Sequence, residues 1–260
     1  MIEIKVATLN LRSRHDRWLR RRELIVSELL NTQPDLLSLQ EIYRPIGQAR
    51  WLRNQVNVRL SGSPKRPYQL LQQSLKHLTR GRFEAIGILT RLPVVSVDWV
   101  ALGYGGRIAL RANVELPSHD TLDFVAVHLH HISSDQEARS DQVLRLSGWL
   151  QSRNPVPNQV IAGDFNEIPS GPAITLMKQA FRSAFVEARG SDPLATFPTA
   201  LVSRSDDWSG CLDYIFVSKA VSEVLDAKIF CRRPAPDDPT LYPSDHVGLV
   251  ATIALGEQSS

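Results

Sequence analysis

The spacing of its apolar runs narrows the fold of this chain more than any other feature. Short stretches with period-two alternation dominate, and helical periodicity breaks in at only a few places. Residues 2–10 set the pattern: Ile2, Ile4, Val6 and Thr8 share one parity, and Asn10 stands at its end. That reads as a buried strand with a polar residue at its tip. Residues 35–41 repeat the form, with Glu41 on the parity of Leu37 and Leu39 and therefore at the rim of a core face. Strands are also expected over 83–91, 94–100, 107–116, 121–129, 160–163, 212–218 and 247–254, with a hairpin-like region near 224–231. Helical spacing joins Trp18, Ile25 and Leu29, closed by Gln33-Pro34. It returns in Val143, Leu146 and Leu150 behind a capping box of Ser134 and Glu137, and again over about 172–182. A doubly wound sheet would alternate strand and helix throughout, and this chain does not. Two packed sheets with helices outside fit it better.

Residues 43–80 are polar and basic with little periodicity, and predict a surface excursion carrying a helix around 69–78. Pro155 and Pro157 end the unit before strand 160–163, and the terminus from Gly256 on is expected to fray. With 43% hydrophobic and 22% charged residues among 260, the chain can bury a sizeable core as one domain, taken as residues 1–255. A net charge of +3 leans weakly towards polyanionic partners. The two cysteines, Cys211 and Cys231, lack the spacing of a zinc site and fit a reducing compartment. Neither a secretion signal nor a run long enough to cross a bilayer is visible, so the expectation is a cytoplasmic monomer without stable membrane insertion.

Several strand-end polar residues carry chemistry. Asp164-Phe165-Asn166 follows an apolar strand and a glycine. Asp164 can orient or deprotonate a water there, with Asn166 holding a phosphoryl oxygen or steadying that aspartate; the bland alternative is an Asx-turn capping the strand. Asp245-His246 sits at the mouth of a strand, but adjacent residues point apart, so Asp245 is a poor orienter for His246. Asp213, which opens an apolar strand, is the better one, the alternative being a salt bridge to an arginine. Glu41 has no adjacent cation and suits Mg²⁺ or Mn²⁺, although lone strand-end glutamates are commonly just solvated. In His128-Leu129-His130-His131, His128 shares the face of Phe124 and Ala126 and is read as phosphate-facing, with His130 and His131 at the pocket edge or surface.

Together, Ala7-Thr8-Leu9-Asn10, Leu39-Gln40-Glu41, Gly87-Ile88-Leu89-Thr90, Val127-His128-Leu129, Gly163-Asp164-Phe165-Asn166, Leu212-Asp213-Tyr214-Ile215-Phe216 and Ser244-Asp245-His246 resemble the endonuclease/exonuclease/phosphatase superfamily, in the family's order. The resemblance implies an α/β/β/α four-layer sandwich of two packed mixed sheets with outer helices. It implies Glu41 as the metal-binding glutamate, Asn10 as its companion, and Asp245 at a position sometimes assigned to a second metal. Asp164 would activate water, Asn166 would stabilise the transition state, and His246, oriented by Asp213, would contact the scissile phosphate. His128 matches the phosphate-side histidine of deoxyribonuclease-like members, and Arg139 and Gln142 resemble the helix pattern that follows it. The implied cofactor is Mg²⁺ or Mn²⁺, and the implied reaction is in-line attack of water on a phosphodiester.

Cys211 stands two before Asp213, where DNA-repair members often carry arginine, which counts against an abasic-site role. Substrate-side candidates are the excursion 59–82 and the run Arg12, Arg14, Arg17, Arg20, Arg21 and Arg22, which suit backbone contact with nucleic acid unless they form a solvated helix face. Trp99, Tyr104 and Trp208 could stack on bases or pack at the rim. The expected substrate is a phosphodiester of nucleic-acid type. The rival reading, a lipid- or small-phosphodiester hydrolase, would show an apolar, loop-lined mouth. A binding-only module would have lost Glu41, Asp164 or His246, and all three are present.

Overall fold

The computed structural model describes residues 1–153, 156–202 and 209–256. Pro155, Trp208 and the frayed segment expected beyond Gly256 lie outside the described residues.

Strand β1 (Ile2–Asn10) leads through helix α1 (Trp18–Thr32) to β2 (Leu36–Tyr43), helix α2 (Gln48–Arg59), β3 (Gln69–Ser74) and β4 (Glu84–Thr90). Then come β5 (Val94–Gly103), β6 (Arg107–Glu115), β7 (Thr121–His128), helix α3 (Gln136–Gln151) and β8 (Asn158–Asp164). Helix α4 (Pro172–Ala180), β9 (Arg182–Ser183), helix α5 (Ala184–Arg189), β10 (Asp213–Val217), β11 (Glu223–Phe230) and β12 (Gly248–Leu255) complete the described strands and α-helices. They form two six-stranded sheets, ordered β11-β12-β1-β2-β4-β3 and β5-β6-β7-β8-β10-β9. Each sheet has one parallel pair, β1 with β2 across α1 and β7 with β8 across α3. The other pairs are antiparallel.

Strand alternation divides the apolar residues between two sides. Val6, Ile88, Leu110, Phe124, Val160, Ile215 and Ile253 meet between the sheets. Leu9, Leu37 and Leu39 point the other way, onto Ile25, Leu29 and Leu52 of α1 and α2, while Val125, Val127 and Ile161 pack under α3 and α4. The result is the expected α/β/β/α sandwich. Among the described residues no helix is long and apolar enough to cross a membrane. Cys211 and Cys231 are buried free thiols.

Two local expectations need correction. The helix expected over 69–78 is β3, paired antiparallel with β4 from Gln69↔Thr90 to Ser74↔Ala85, and the helix of this region is α2. The Gln-rich strand Gln69–Ser74 has no alternation to announce it, and it exists because β4 offers an unfilled edge. Helix α3 is capped one residue later than expected, by Asp135, whose side chain accepts from the Ala138 N–H.

Candidate active site

Parity and register bring the polar strand ends together at one end of the sandwich. On the second sheet His128, Asp164 and Asp213 lie side by side, since β8 pairs His128↔Asp164 with β7 and Asp213↔Asp164 with β10. Each continues an inward-facing row: Phe124 and Ala126 before His128, Val160 and Ala162 before Asp164, Ile215 and Val217 after Asp213. Asn10 ends the inward row of Ile4 and Val6 on the first sheet. Thr8, Ser38 and Gln40 lie beneath it, fully buried, with Thr8 Oγ1 donating to Gln40 Oε1 and Gln40 Nε2 donating to Ser38 Oγ.

Glu41 reaches the site by a different route from the one its parity suggested. Leu37 and Leu39 face the helices, so simple alternation would send Glu41 there too. The ladder with β4 shifts register between Leu39 and Ile42, and Glu41 adopts φ +53°. This bulge flips the later parity, so that Ile42 takes the helix side and Glu41 turns to the cleft. A non-glycine residue in the left-handed region costs about 1–3 kcal/mol unless its surroundings hold it, and such strain gathers at functional positions. Arg12 (φ +55°) and Asn166 (φ +49°) share the feature.

At the centre, Asn10 Nδ2 donates to Asp164 Oδ2 at 3.0 Å and to Glu41 Oε1 at 3.3 Å, tying the two sheets together. Asp164 Oδ1 accepts from the Asn166 N–H at 2.8 Å. The Asx-turn and the buried carboxylate are therefore both real. His128 Nε2 lies 3.5 Å and His246 Nε2 3.9 Å from Asp164 Oδ2. Asp213 Oδ2 bonds His246 Nδ1 at 2.8 Å, so Asp213 orients His246, and no arginine among the described residues takes that place. The His246 ring rests on Phe197, centroids 4.8 Å apart. Arg107 Nη1 donates to His128 Nδ1 at 2.7 Å, which leaves the ring proton on Nε2, facing Asp164. Asn166 Nδ2 donates to Leu129 O at 3.1 Å, leaving its second N–H for a ligand.

Burial and charge set the protonation. Desolvation raises the Asp164 carboxyl, the neighbouring Asp213 charge adds to it, and together they outweigh His246 and the Asn10 hydrogen bond to place it at about 7. For His246, burial opposes the charged ring, but Asp213, Asp164 and Asp245 prevail and push it up to about 10. The pair titrates as a unit, and both directions follow from three carboxylates around one imidazole.

Donors that suit a divalent cation lie in two places, the Asp164–Asp213–His246 cluster, where the Asp213–His246 bond competes with an ion, and Glu41. Asp164, Asp213 and His246 offer ligand atoms within 4.8 Å of one another, and Asp213 Oδ1 is buried without a hydrogen-bond partner among the described residues. Half-buried Glu41 has one oxygen with no bond among the described residues. Asp245 differs, being 2% exposed with Oδ2 bonded to Arg12 Nη1 at 3.1 Å.

Sequence reasoning named Arg139 and Gln142 without a role and passed over the threonines that support the site. Thr196 Oγ1 accepts from the N–H groups of Leu212 and Asp213, and Thr199 Oγ1 donates to Ser244 O at 2.6 Å. Buried Arg139 pairs with buried Glu167 at 3.0 Å and donates to the carbonyls of His130, Ile132 and Ser133, pinning the loop after His128. Gln142 accepts from the His130 N–H. His130 is half-buried and His131 exposed, as expected of pocket-edge residues. The arginine run is mostly structural. Arg21 is fully buried and donates to the carbonyls of Leu11, Arg12, Ser13, His15, Asp16 and Pro243. Arg17 and Arg20 bind Asp238, and Arg20 also binds Asp237. Buried Arg21 and the exposed Arg17 and Arg20 tie the loop before Asp245 to the start of α1.

Among solved structures the chain is similar to the human Nocturnin catalytic domain with bound sulfate anion, at 21% identity and TM-score 0.77 over 98% of this chain and 94% of that one. It is also similar to an endonuclease/exonuclease/phosphatase from Bacteroides vulgatus, at 18% identity and TM-score 0.75 over 98% and 100% of the two chains. Truncated Caenorhabditis elegans TDP2 follows at 17% and 0.74 over 97% and 98%. At these identities the likeness establishes the fold. No curated protein matches the sequence. Residues 7–246, which span every strand-end residue described above, match the Endonuclease/Exonuclease/phosphatase family, and the chain belongs to it.

Proposed function

We propose that this protein is a divalent-metal-dependent phosphodiester hydrolase acting by in-line attack of water, with residues 1–255 as its catalytic domain. The observation that carries the reading is the Asp164 carboxylate, buried, held by Asn10 and flanked by His128 and His246. With a pKa of about 7, Asp164 accepts a proton from water near neutral pH. The attacking oxygen forms the new bond to phosphorus as the P–O ester bond breaks; the ester oxygen leaves with that bond's electron pair and takes a proton from solvent, and Asp164 keeps the water's proton. His246 stays protonated through its bond to Asp213 and presents Nε2–H to a phosphoryl oxygen, where developing charge makes that bond strongest. His128, with Nδ1 occupied by Arg107, offers a second N–H, and Asn166 a third. A Mg²⁺ or Mn²⁺ ion held by Glu41 beside Asn10 would supply charge neutralisation on the phosphate oxygens.

The rim supports a nucleic-acid-like substrate over a lipid. Tyr43, two residues past Glu41, stacks on Phe83 with ring centroids 6.3 Å apart and planes at 12°. The Arg14 guanidinium lies 4.8 Å over the Tyr43 ring. A cationic aromatic ledge suits a planar base carried by a phosphate backbone, whereas a lipid site calls for an apolar mouth. The test is a panel of plasmid DNA, abasic duplex, RNA, sphingomyelin, inositol phosphates and bis-p-nitrophenyl phosphate with Mg²⁺, Mn²⁺ or chelator. The expected result is metal-dependent cleavage that collapses in Asp164→Asn and His246→Ala. Activity surviving chelation or both substitutions would sink the mechanism, and cleavage of the lipid headgroup alone would sink the substrate.

A further inference from the structure

Asp245 occupies the position where the resemblance allows a second metal, yet its surroundings favour another cation. Its Oδ2 is bonded to Arg12 Nη1 at 3.1 Å, and its Oδ1 lies 3.2 Å from Ser244 Oγ. Arg12 is held firmly in that place. Its backbone N–H donates to Asn10 Oδ1 at 2.9 Å, its Nε donates to Asp16 Oδ2 at 3.0 Å, and its φ of +55° turns the chain sharply after β1. The buried Arg21 guanidinium bonds the carbonyls of Leu11, Arg12 and Ser13 and also that of Pro243, so the segment bearing Arg12 and the segment bearing Asp245 share one anchor. Burial alone would discourage charge on Arg12, but Asp245, Asp16 and Glu41 more than reverse this.

We infer that Arg12 is the built-in cation of the Asp245 position, so that the centre takes a single divalent metal, at Glu41, and Arg12 performs the charge-neutralising work a second metal would do. The inference rests on the metal-dependent reading above. The two carboxylates differ in the way this requires. Glu41 is half-buried and, among the described residues, bonds no cation and accepts only from the Asn10 amide. Asp245 is almost fully buried, and its charge is already answered. A divalent ion at Asp245 would have to displace the guanidinium or sit beside it, and like charges at contact distance in a poorly hydrated site repel strongly. Mg²⁺ also keeps several of its waters, for which a carboxylate enclosed by Arg12 and Ser244 leaves little room. Arg12 Nη2 has no bond among the described residues and its side chain is 35% exposed. That leaves Nη2 available as a donor to a phosphate oxygen, and a planar guanidinium is well shaped for the task.

Calorimetric titration with Mn²⁺ alone, without substrate, tests the inference independently of turnover. Wild type is expected to bind one Mn²⁺, and Asp245→Asn to bind one with affinity within about threefold, because Asp245 is not a ligand. Arg12→Met frees Asp245 and should add a second binding event, at least about tenfold tighter than any weak second event in wild type, that disappears in Arg12→Met/Asp245→Asn. In turnover of bis-p-nitrophenyl phosphate, Arg12→Met should lower kcat about tenfold and change KM less, as expected of a group that neutralises charge developing in the transition state. Two ions in wild type, one of them lost in Asp245→Asn, would overturn the inference and leave the metal-dependent reading standing. One ion in both wild type and folded Arg12→Met would overturn the exclusion of metal by Arg12. No ion in wild type would overturn the metal-dependent reading itself. If Arg12→Met loses its circular-dichroism melting transition, the wild-type and Asp245→Asn stoichiometries still decide.

Discussion

Replacing Asp213 with asparagine keeps the shape of the Asp213–His246 pair and removes its charge. His246 stands at about 10 rather than 6.5, a net preference for the imidazolium on the order of 5 kcal/mol, achieved against burial. Asp213 is the largest of the attractive influences on it and also its hydrogen-bond partner at 2.8 Å. Without that carboxylate the ring's pKa should fall to its ordinary value or below. At pH 8 a ring of pKa ~6.5 is only roughly 3% protonated, which alone costs about 30-fold. Loss of the orienting acceptor should take the total to the order of 10²–10⁴-fold in kcat/KM. A second shift follows from the same change. Asp213 helps to raise Asp164, so Asp164 in Asp213→Asn should ionise at lower pH. The wild-type kcat/KM profile should rise through about 7 as Asp164 loses its proton and fall through about 10 as His246 does. In the variant both limbs should move down in pH. The assay is hydrolysis of bis-p-nitrophenyl phosphate across that range at fixed Mg²⁺, with circular dichroism confirming the fold. A drop in amplitude with both limbs unmoved, or undiminished activity at pH 8, would refute the dyad.

Two further substitutions probe the frame that holds the site. Arg139→Met strands the fully buried Glu167 and releases three carbonyls of the loop after His128, so urea unfolding should show a loss of about 3–5 kcal/mol, most of it restored in Arg139→Met/Glu167→Met. Failure of the double variant to recover would mean that the carbonyl contacts matter more than the ion pair. Gly163→Ala places a methyl against the carbonyl and Cγ2 of Val127, which pairs with Gly163 one step from His128 and Asp164. It should cost about 1–3 kcal/mol in denaturant and depress kcat by moving β8 off β7. Unchanged stability would show that the strands tolerate a wider spacing than the structure gives them.

How much of this could be read from the chain depended on the range of the interaction. Asn10, His128, Asp164 and Asp213 were legible because each ends or begins an alternating row, and a strand's period of two fixes the side on which its tip emerges. Glu41 was found for the wrong reason: alternation sends it towards the helices, and only the bulge and left-handed backbone return it to the cleft. A bulge is a disagreement in register between two strands, and a single strand's pattern does not contain it. Strand β3 was misread because its pairing with β4, not its own composition, makes it a strand. The arginine run is the plainest case. Six cations within eleven residues look alike in sequence, yet Arg21 is buried among carbonyls, Arg17 and Arg20 clamp a loop 217 to 223 residues away, and Arg12 closes on Asp245.

The sequence by itself determined the layered architecture and the identity of the polar groups at the strand ends, because local periodicity and residue chemistry are properties of neighbours along the chain. Only the tertiary structure decided which of those groups meet. Asn10 and Asp164 are 154 residues apart and become partners where the two sheets face each other. Asp245 pairs with Arg12, an arginine from the other end of the chain that the turn after β1 brings to it. Charge pairing of this kind depends on distance through space, and that distance is set by how the sheets pack.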